Sequence, residues 1–145
     1  MIGLLLALSL ASIAVIAVLA SSAIIASLSL WGRHDVSRFL QQHPAIESDS
    51  SLEAFKDLVR RQMRVAMVTM ALGLIFVVLC MFLTMQLLFT GLLIIIALGV
   101  VLFLLGRGGK KLETKARNLV CSDEPRKIEY DKVAAAWTGK LFPDF

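Results

Sequence analysis

The sequence predicts an all-α integral membrane protein: one N-terminal transmembrane helix, then a tight helical hairpin, with short cytoplasmic amphipathic helices. Three observations carry this. The 15 Lys/Arg and 11 Asp/Glu all fall in two segments, 33–64 and 107–145, and residues 1–32 and 65–106 contain none. Each charge-free run is apolar and longer than the ~18 residues that mark a membrane span. The polar remainder is split into pieces too short to hold independent cores.

The first segment, 1–31, reads as transmembrane helix 1. No Lys or Arg precedes its apolar run, and the run is about twice the length of a signal-peptide core, so cleavage is not expected. Trp31-Gly32-Arg33 then supplies an interfacial aromatic, a helix-ending glycine and a stop charge. About 29 helical residues reach ~43 Å against an apolar slab of ~30 Å, so this helix tilts or protrudes.

The second run, within 64–106, would measure ~63 Å as one straight helix, about twice the slab. It must fold back. Its most polar and turn-permissive residues lie at 84–90, from Thr84-Met85-Gln86 to Thr90-Gly91, which places helix 2 near 64–84 and helix 3 near 87–106. An odd number of spans then puts segment 32–63 and tail 107–145 on one side with every Lys and Arg. The positive-inside rule makes that side the cytoplasm, with the N-terminus outside, in a plasma or inner membrane. The net charge of +4 reads as this bias and not as a nucleic-acid surface.

In the connecting segment, Asp35 is a candidate N-cap, and Val36, Phe39 and Leu40 share one face before His43-Pro44 stops the helix. This predicts a short helix lying in the interface. Ser50-Ser51-Leu52-Glu53 matches a capping box, and Leu52, Phe55, Val59 and Met63 recur at helical spacing into span 2. Trp31, Arg60, Arg61, Arg64, Arg107, Lys110 and Lys111 are expected to anchor the spans at lipid headgroups.

The tail opens with glycines beside basic residues. Leu112, Ala116 and Leu119 mark a short helix to about Val120. A second helix starts at Ser122-Asp123-Glu124-Pro125, with acids and a proline in its first turn. Tyr130, Val133, Ala134, Trp137 and Leu141 form one apolar stripe along it, Gly139 can end it, and Phe142 and Phe145 follow. An isolated helix of this length is marginal in water. The stripe therefore needs a surface: the 52–63 helix, the membrane interface or another protein. The expectation favours partner docking through Tyr130, Val133, Trp137, Leu141, Phe142 and Phe145.

Helix 1 is rich in Ala and Ser, with small residues four apart at Ala7/Ala11, Ala17/Ser21, Ser22/Ala26 and Ala23/Ser27. Such spacing allows close helix approach, so these eight residues are expected to form the packing face. Spans 2 and 3 carry bulkier Leu, Ile, Phe and Met.

No ionisable residue lies in the charge-free runs, so intramembrane acid–base chemistry and ion coupling have no carrier there. His34 and His43 lie in the polar segment, Cys80 and Cys121 form no CxxC, and no catalytic motif is present. No enzyme activity, cofactor or metal is expected. The leading expectation is a small non-catalytic accessory or assembly subunit of a larger membrane complex. Its partners are then larger integral membrane proteins and membrane lipid, not nucleic acid, with a homo-oligomer also permitted. Three spans, an outside N-terminus and a basic tail resemble the topology of class I phage holins in span count and tail charge. That resemblance implies a self-associating pore. A third expectation is a membrane-anchored adaptor that recruits a soluble partner.

Overall fold

The computed structural model describes residues 2–139, and the side chains of 9 and of 11–139 apart from 86–88 and 90. It is all-helical. The first helix, α1, spans Ile2–Gln42. Helical structure then runs from Asp49 to Arg117, but it is not straight. Leu83 and Gly91 would stand about 12 Å apart along a straight helix. Instead, a Cβ built on Gly91 would lie 3.0 Å from the Leu83 carbonyl oxygen. The chain reverses between them, as the turn expected at 84–90 requires. The two arms are α2 (Asp49–Met85) and α3 (Gly91–Arg117), and α4 spans Glu124–Gly139. Three of these helices are long and apolar enough to cross a membrane.

The long helices pack in one register from end to end. Near the hairpin tip, Ala14 and Val18 of α1 meet Cys80 and Leu83 of α2, with Ile95 and Leu98 of α3 against the same cluster. At the other end, Val36 and Phe39 meet Leu52, Phe55, Leu58, Val59 and Met63, together with Ala116. Helix α1 is therefore antiparallel to α2 and parallel to α3, seated in the groove between them. Its buried residues step by three and four: Ala11, Ala14, Val18, Ser21, Ser22, Ile25, then Gly32, Val36 and Phe39. That alternation is the heptad seam of a left-handed bundle.

Two connections close the polar end. Ile46 is fully buried in the α1–α2 loop. It pairs in a parallel bridge with Cys121, with Ile46 N donating to Val120 O at 2.9 Å and Ser122 N donating to Ile46 O at 3.2 Å. Ser48 caps α2: its hydroxyl accepts from Ser51 N, and the Ser51 hydroxyl accepts from Ser48 N.

Four local expectations are corrected. Helix α1 does not end at Trp31-Gly32-Arg33, and no separate interfacial helix follows; α1 continues to Gln42. At Gly32 α2 crosses close to α1: Gln62 Nε2 donates to Gly32 O at 3.2 Å, and a Cβ on Gly32 would meet Gln62 Oε1 at 3.0 Å. Asp35 is consequently no N-cap but lies mid-helix, paired with Arg61 at 3.2 Å. The cap of α2 is Ser48, two residues before Ser50, because Ser51 closes the box that Glu53 was expected to close. Finally, Leu112 and Ala116 belong to the end of α3 and not to a separate helix.

Candidate functional site

The residues singled out for partner docking divide. Leu141, Phe142 and Phe145 lie outside the described residues. Tyr130, Val133 and Ala134 are buried inside the chain, and Trp137 is half-buried against the same cluster. The stripe of α4 is thus turned onto the chain's own α2, which corrects the expectation of a docking face at Tyr130 and Val133. Phe55 is the reason. Fully buried on α2, it brings its ring centroid 4.6 Å from Tyr130, 5.9 Å from Phe39 and 6.1 Å from Trp137. Aromatic pairs at such offsets add to the free energy of burial.

Polar contacts orient α4 on this cluster. The Tyr130 hydroxyl donates to Ala116 O at 2.6 Å and accepts from Leu119 N at 3.0 Å, which satisfies backbone groups freed at the end of α3. Lys56 bridges Glu129 and Glu53, each at 2.6 Å, and its ammonium is held above the usual range first by the Glu129 hydrogen bond. Arg126 ties α4 to the start of α2 through Asp49 at 2.7 Å. Burial pushes the Cys121 thiol up, so it stays protonated and unreactive at neutral pH.

Tyr130 reports on this packing. Burial pushes its hydroxyl up to about 12, against the opposing effect of the Leu119 N–H. An unfolded tyrosine titrates near ~10. Because the folded value is the higher one, the polar end with its docked α4 keeps its full stability below about pH 10 and loses it as pH rises, by at most ~1.4 kcal/mol per unit. Tyr130 is the only tyrosine in the chain. Its tyrosinate absorbance should therefore appear near pH 12 in the folded protein and shift down on unfolding. A folded-state titration at the ordinary value would contradict the buried placement.

The small residues of α1 also divide. Ala11, Ser21 and Ser22 face the hairpin, Ala17 and Ala26 are half-buried, and Ala23 and Ser27 are exposed. Ala7 lies on α1, but its side chain is outside the described ones. The serines bond back along their own helix: Ser21 to Val18 O, Ser22 to Leu19 O and Ser27 to Ala23 O.

The basic residues gather where the charge-free segments meet the charged ones. Trp31, Arg61, Arg64, Arg107, Lys110 and Lys111 are exposed and Arg60 is half-buried. Arg60 pairs with Asp57 at 3.1 Å, Arg64 Nε donates to Arg60 O, and the Arg107 guanidinium stands 5.3 Å from the Phe103 ring centroid. At this level a cleft of about 460 Å³ opens between α1, α2 and α3, with Trp137 of α4 at one side. Ser29, Arg33, Gln62, Thr69, Lys110 and Glu113 give it a polar wall; Val65, Ala66, Met70 and Leu105 give it an apolar one. A second cleft of about 430 Å³ lies lower on the cap, among Asp35, Arg38, His43, Asp57 and Arg61.

The sequence places Arg33 and Lys110 near headgroup level but does not bring them to one cleft, and it singles out nothing at Gln62, whose hydrogen bond to Gly32 O spans thirty residues. Among the described residues no group of three or more His, Cys, Asp or Glu is placed to hold a metal. No protein-family model, curated protein or solved structure matches the chain.

Proposed function

We propose that this protein is a membrane-integral, non-catalytic accessory subunit that packs against a larger membrane protein through the outer face of α1. One observation carries the reading. With one face of α1 seated in its own hairpin, the opposite face stays open: Ile13 is 62% exposed and Ile16 66%, with Ala23 and Ser27 exposed about two and three turns beyond Ile16. This face is small and β-branched, and its serine is already satisfied by backbone. Such a surface suits close helix–helix packing in lipid. With every Lys and Arg on one side, the polar cap is assigned to the cytoplasm and the N-terminus to the outside.

A holin-like pore draws less support. Of the α1 serines that could line a lumen, Ser21 and Ser22 are buried against the hairpin, and of the exposed Ser9, Ser12 and Ser27 the last is bonded back to Ala23 O. The inward stripe of α4 likewise removes the motive for recruiting a soluble partner through the tail.

Mild-detergent purification of the full chain should bring down a larger membrane protein. Ala23→Leu combined with Ser27→Leu should abolish that association, whereas Leu93→Ala on the hairpin should leave it intact. If the wild-type protein runs as a monomer at native abundance and crosslinks to nothing, the subunit reading fails. Collapse of the membrane potential on controlled expression would replace it with the pore.

A further inference from the structure

We propose that the cleft between α1, α2 and α3 seats the headgroup of one anionic phospholipid, its phosphodiester held by Arg33 and Lys110. The inference rests on the membrane reading above.

The cleft is built as an amphiphile site. It lies where all three long helices pass from charge-free to charged sequence, at Gly32-Arg33, Arg64-Val65 and Gly106-Arg107. Its wall changes character along the same direction. Met70, Ala66 and Leu105 line the part nearer the hairpin tip, where an acyl chain would run; Arg33, Lys110 and Gln62 line the part nearer the cap. This is the order in which a phospholipid presents its own atoms to a helix.

The cations are available. Among the described residues neither Arg33 nor Lys110 has a carboxylate within ion-pair distance, in contrast to Arg61 and Arg126, which do. The Arg33 guanidinium lies over Gly108, where a Cβ would come within 2.7 Å of Cζ, so the glycine lets it approach the backbone of α3 without shifting. A planar guanidinium with a lysine beside it matches a phosphodiester, one giving paired hydrogen bonds and the other a point charge.

The lining charges select the lipid class. Arg33 and Lys110 against Glu113 leave one net positive charge, which a singly anionic phospholipid neutralises. A zwitterionic one does not. A headgroup hydroxyl can donate to Glu113, and Gln62 adds an amide to the polar wall. The exposed cations Arg64 and Lys111 are outside the cleft and should attract anionic lipid only diffusely, without hydrogen-bonding a seated headgroup.

The test is native mass spectrometry of the full-length protein taken from nanodiscs containing equal phosphatidylglycerol and phosphatidylcholine. The wild type should retain one phosphatidylglycerol through delipidation. Arg33→Gln with Lys110→Gln removes two charge-assisted hydrogen-bond donors and should weaken that retention by about a hundred-fold. Arg64→Gln with Lys111→Gln removes the same charge outside the cleft and should retain the lipid. Ala66→Phe, which fills the apolar part without changing charge, should lose it, and the Tyr130 titration verifies that each variant is folded. Equal retention of both lipids, equal loss in the two charge pairs, or displacement of the lipid by millimolar inorganic phosphate alone would overturn the proposal. Resistance of the protein to alkaline extraction is scored separately. Insertion without lipid retention defeats the cleft alone, and failure to insert defeats the membrane reading itself.

Discussion

Phe55→Ala is expected to release α4 from the rest of the molecule. Phe55 has no exposed surface, and three aromatic rings converge on it from α1 and α4. Truncating a buried phenylalanine costs ~3–5 kcal/mol, because lost transfer energy and a cavity add together. Against that loss, α4 has few other holds. Its ion pairs through Lys56 and Arg126 involve carboxylates that are half exposed or more, so each is worth little. Its sixteen residues are near the lower limit for an isolated helix in water. The variant should therefore lose helix by circular dichroism and become cleavable between α3 and α4. Its single tyrosine should titrate near the ordinary value of ~10. Phe103→Ala, at a residue 61% exposed on α3, should change none of these. A Phe55→Ala protein whose tyrosine still titrates near 12 would refute the aromatic cluster as the hold on the tail.

Gly91→Val should open the hairpin at its tip. A Cβ at this position meets the Leu83 carbonyl oxygen at 3.0 Å and Leu83 Cγ at 3.5 Å. The oxygen belongs to backbone and cannot swing aside, so the arms must separate. Overpacking of this kind costs ~1–3 kcal/mol. The fully buried Leu83 lies in the cluster with Val18, so separation also loosens the seat of α1. Met81 and Leu93 are 66% and 69% exposed and can carry spin labels without disturbing packing. With Cys80 and Cys121 replaced by Ala, the distance between those labels should lengthen and broaden in Gly91→Val, and the melting temperature in detergent should fall. Gly99→Val, where a Cβ meets nothing within 4 Å, should match the parent in both. Unchanged distances in both variants would mean that the arms do not touch at Gly91.

These two positions also mark what the sequence could convey. Charge partition is a global property, and it gave three long apolar helices and a reversal near residue 85 with no knowledge of contacts. The period of the α4 stripe was equally legible, since it depends only on helix geometry. Its partner was not. Nothing near Tyr130 in sequence announces Phe55, which differs little from other core-spaced residues of its helix. Gly32 shows the same limit from the other side. A glycine after an aromatic and before an arginine has the local signature of a helix end. It is helical here, inside a continuous α1, and Gln62 occupies the space a side chain would fill. The N-cap of α2 was blurred for a different reason. Ser48, Ser50 and Ser51 are interchangeable in type, and only the reciprocal pair of hydrogen bonds selects Ser48. The cleft was illegible because its walls come from three helices, and no single segment carries its mixture of cations and apolar residues.

The continuity of α1 through Gly32 has a mechanical consequence. A helix that ended at Trp31 would leave a swivel between the apolar bundle and the polar cap, and motion of one would be lost before reaching the other. Instead α1 and α2 cross that level unbroken, clamped together by Gln62. The 41 residues of α1 form a beam of ~60 Å, so tilting the cap by ~5° swings the far end by ~5 Å. Force applied at either end is thus delivered to the other as displacement, with the molecule acting as a lever across its own length.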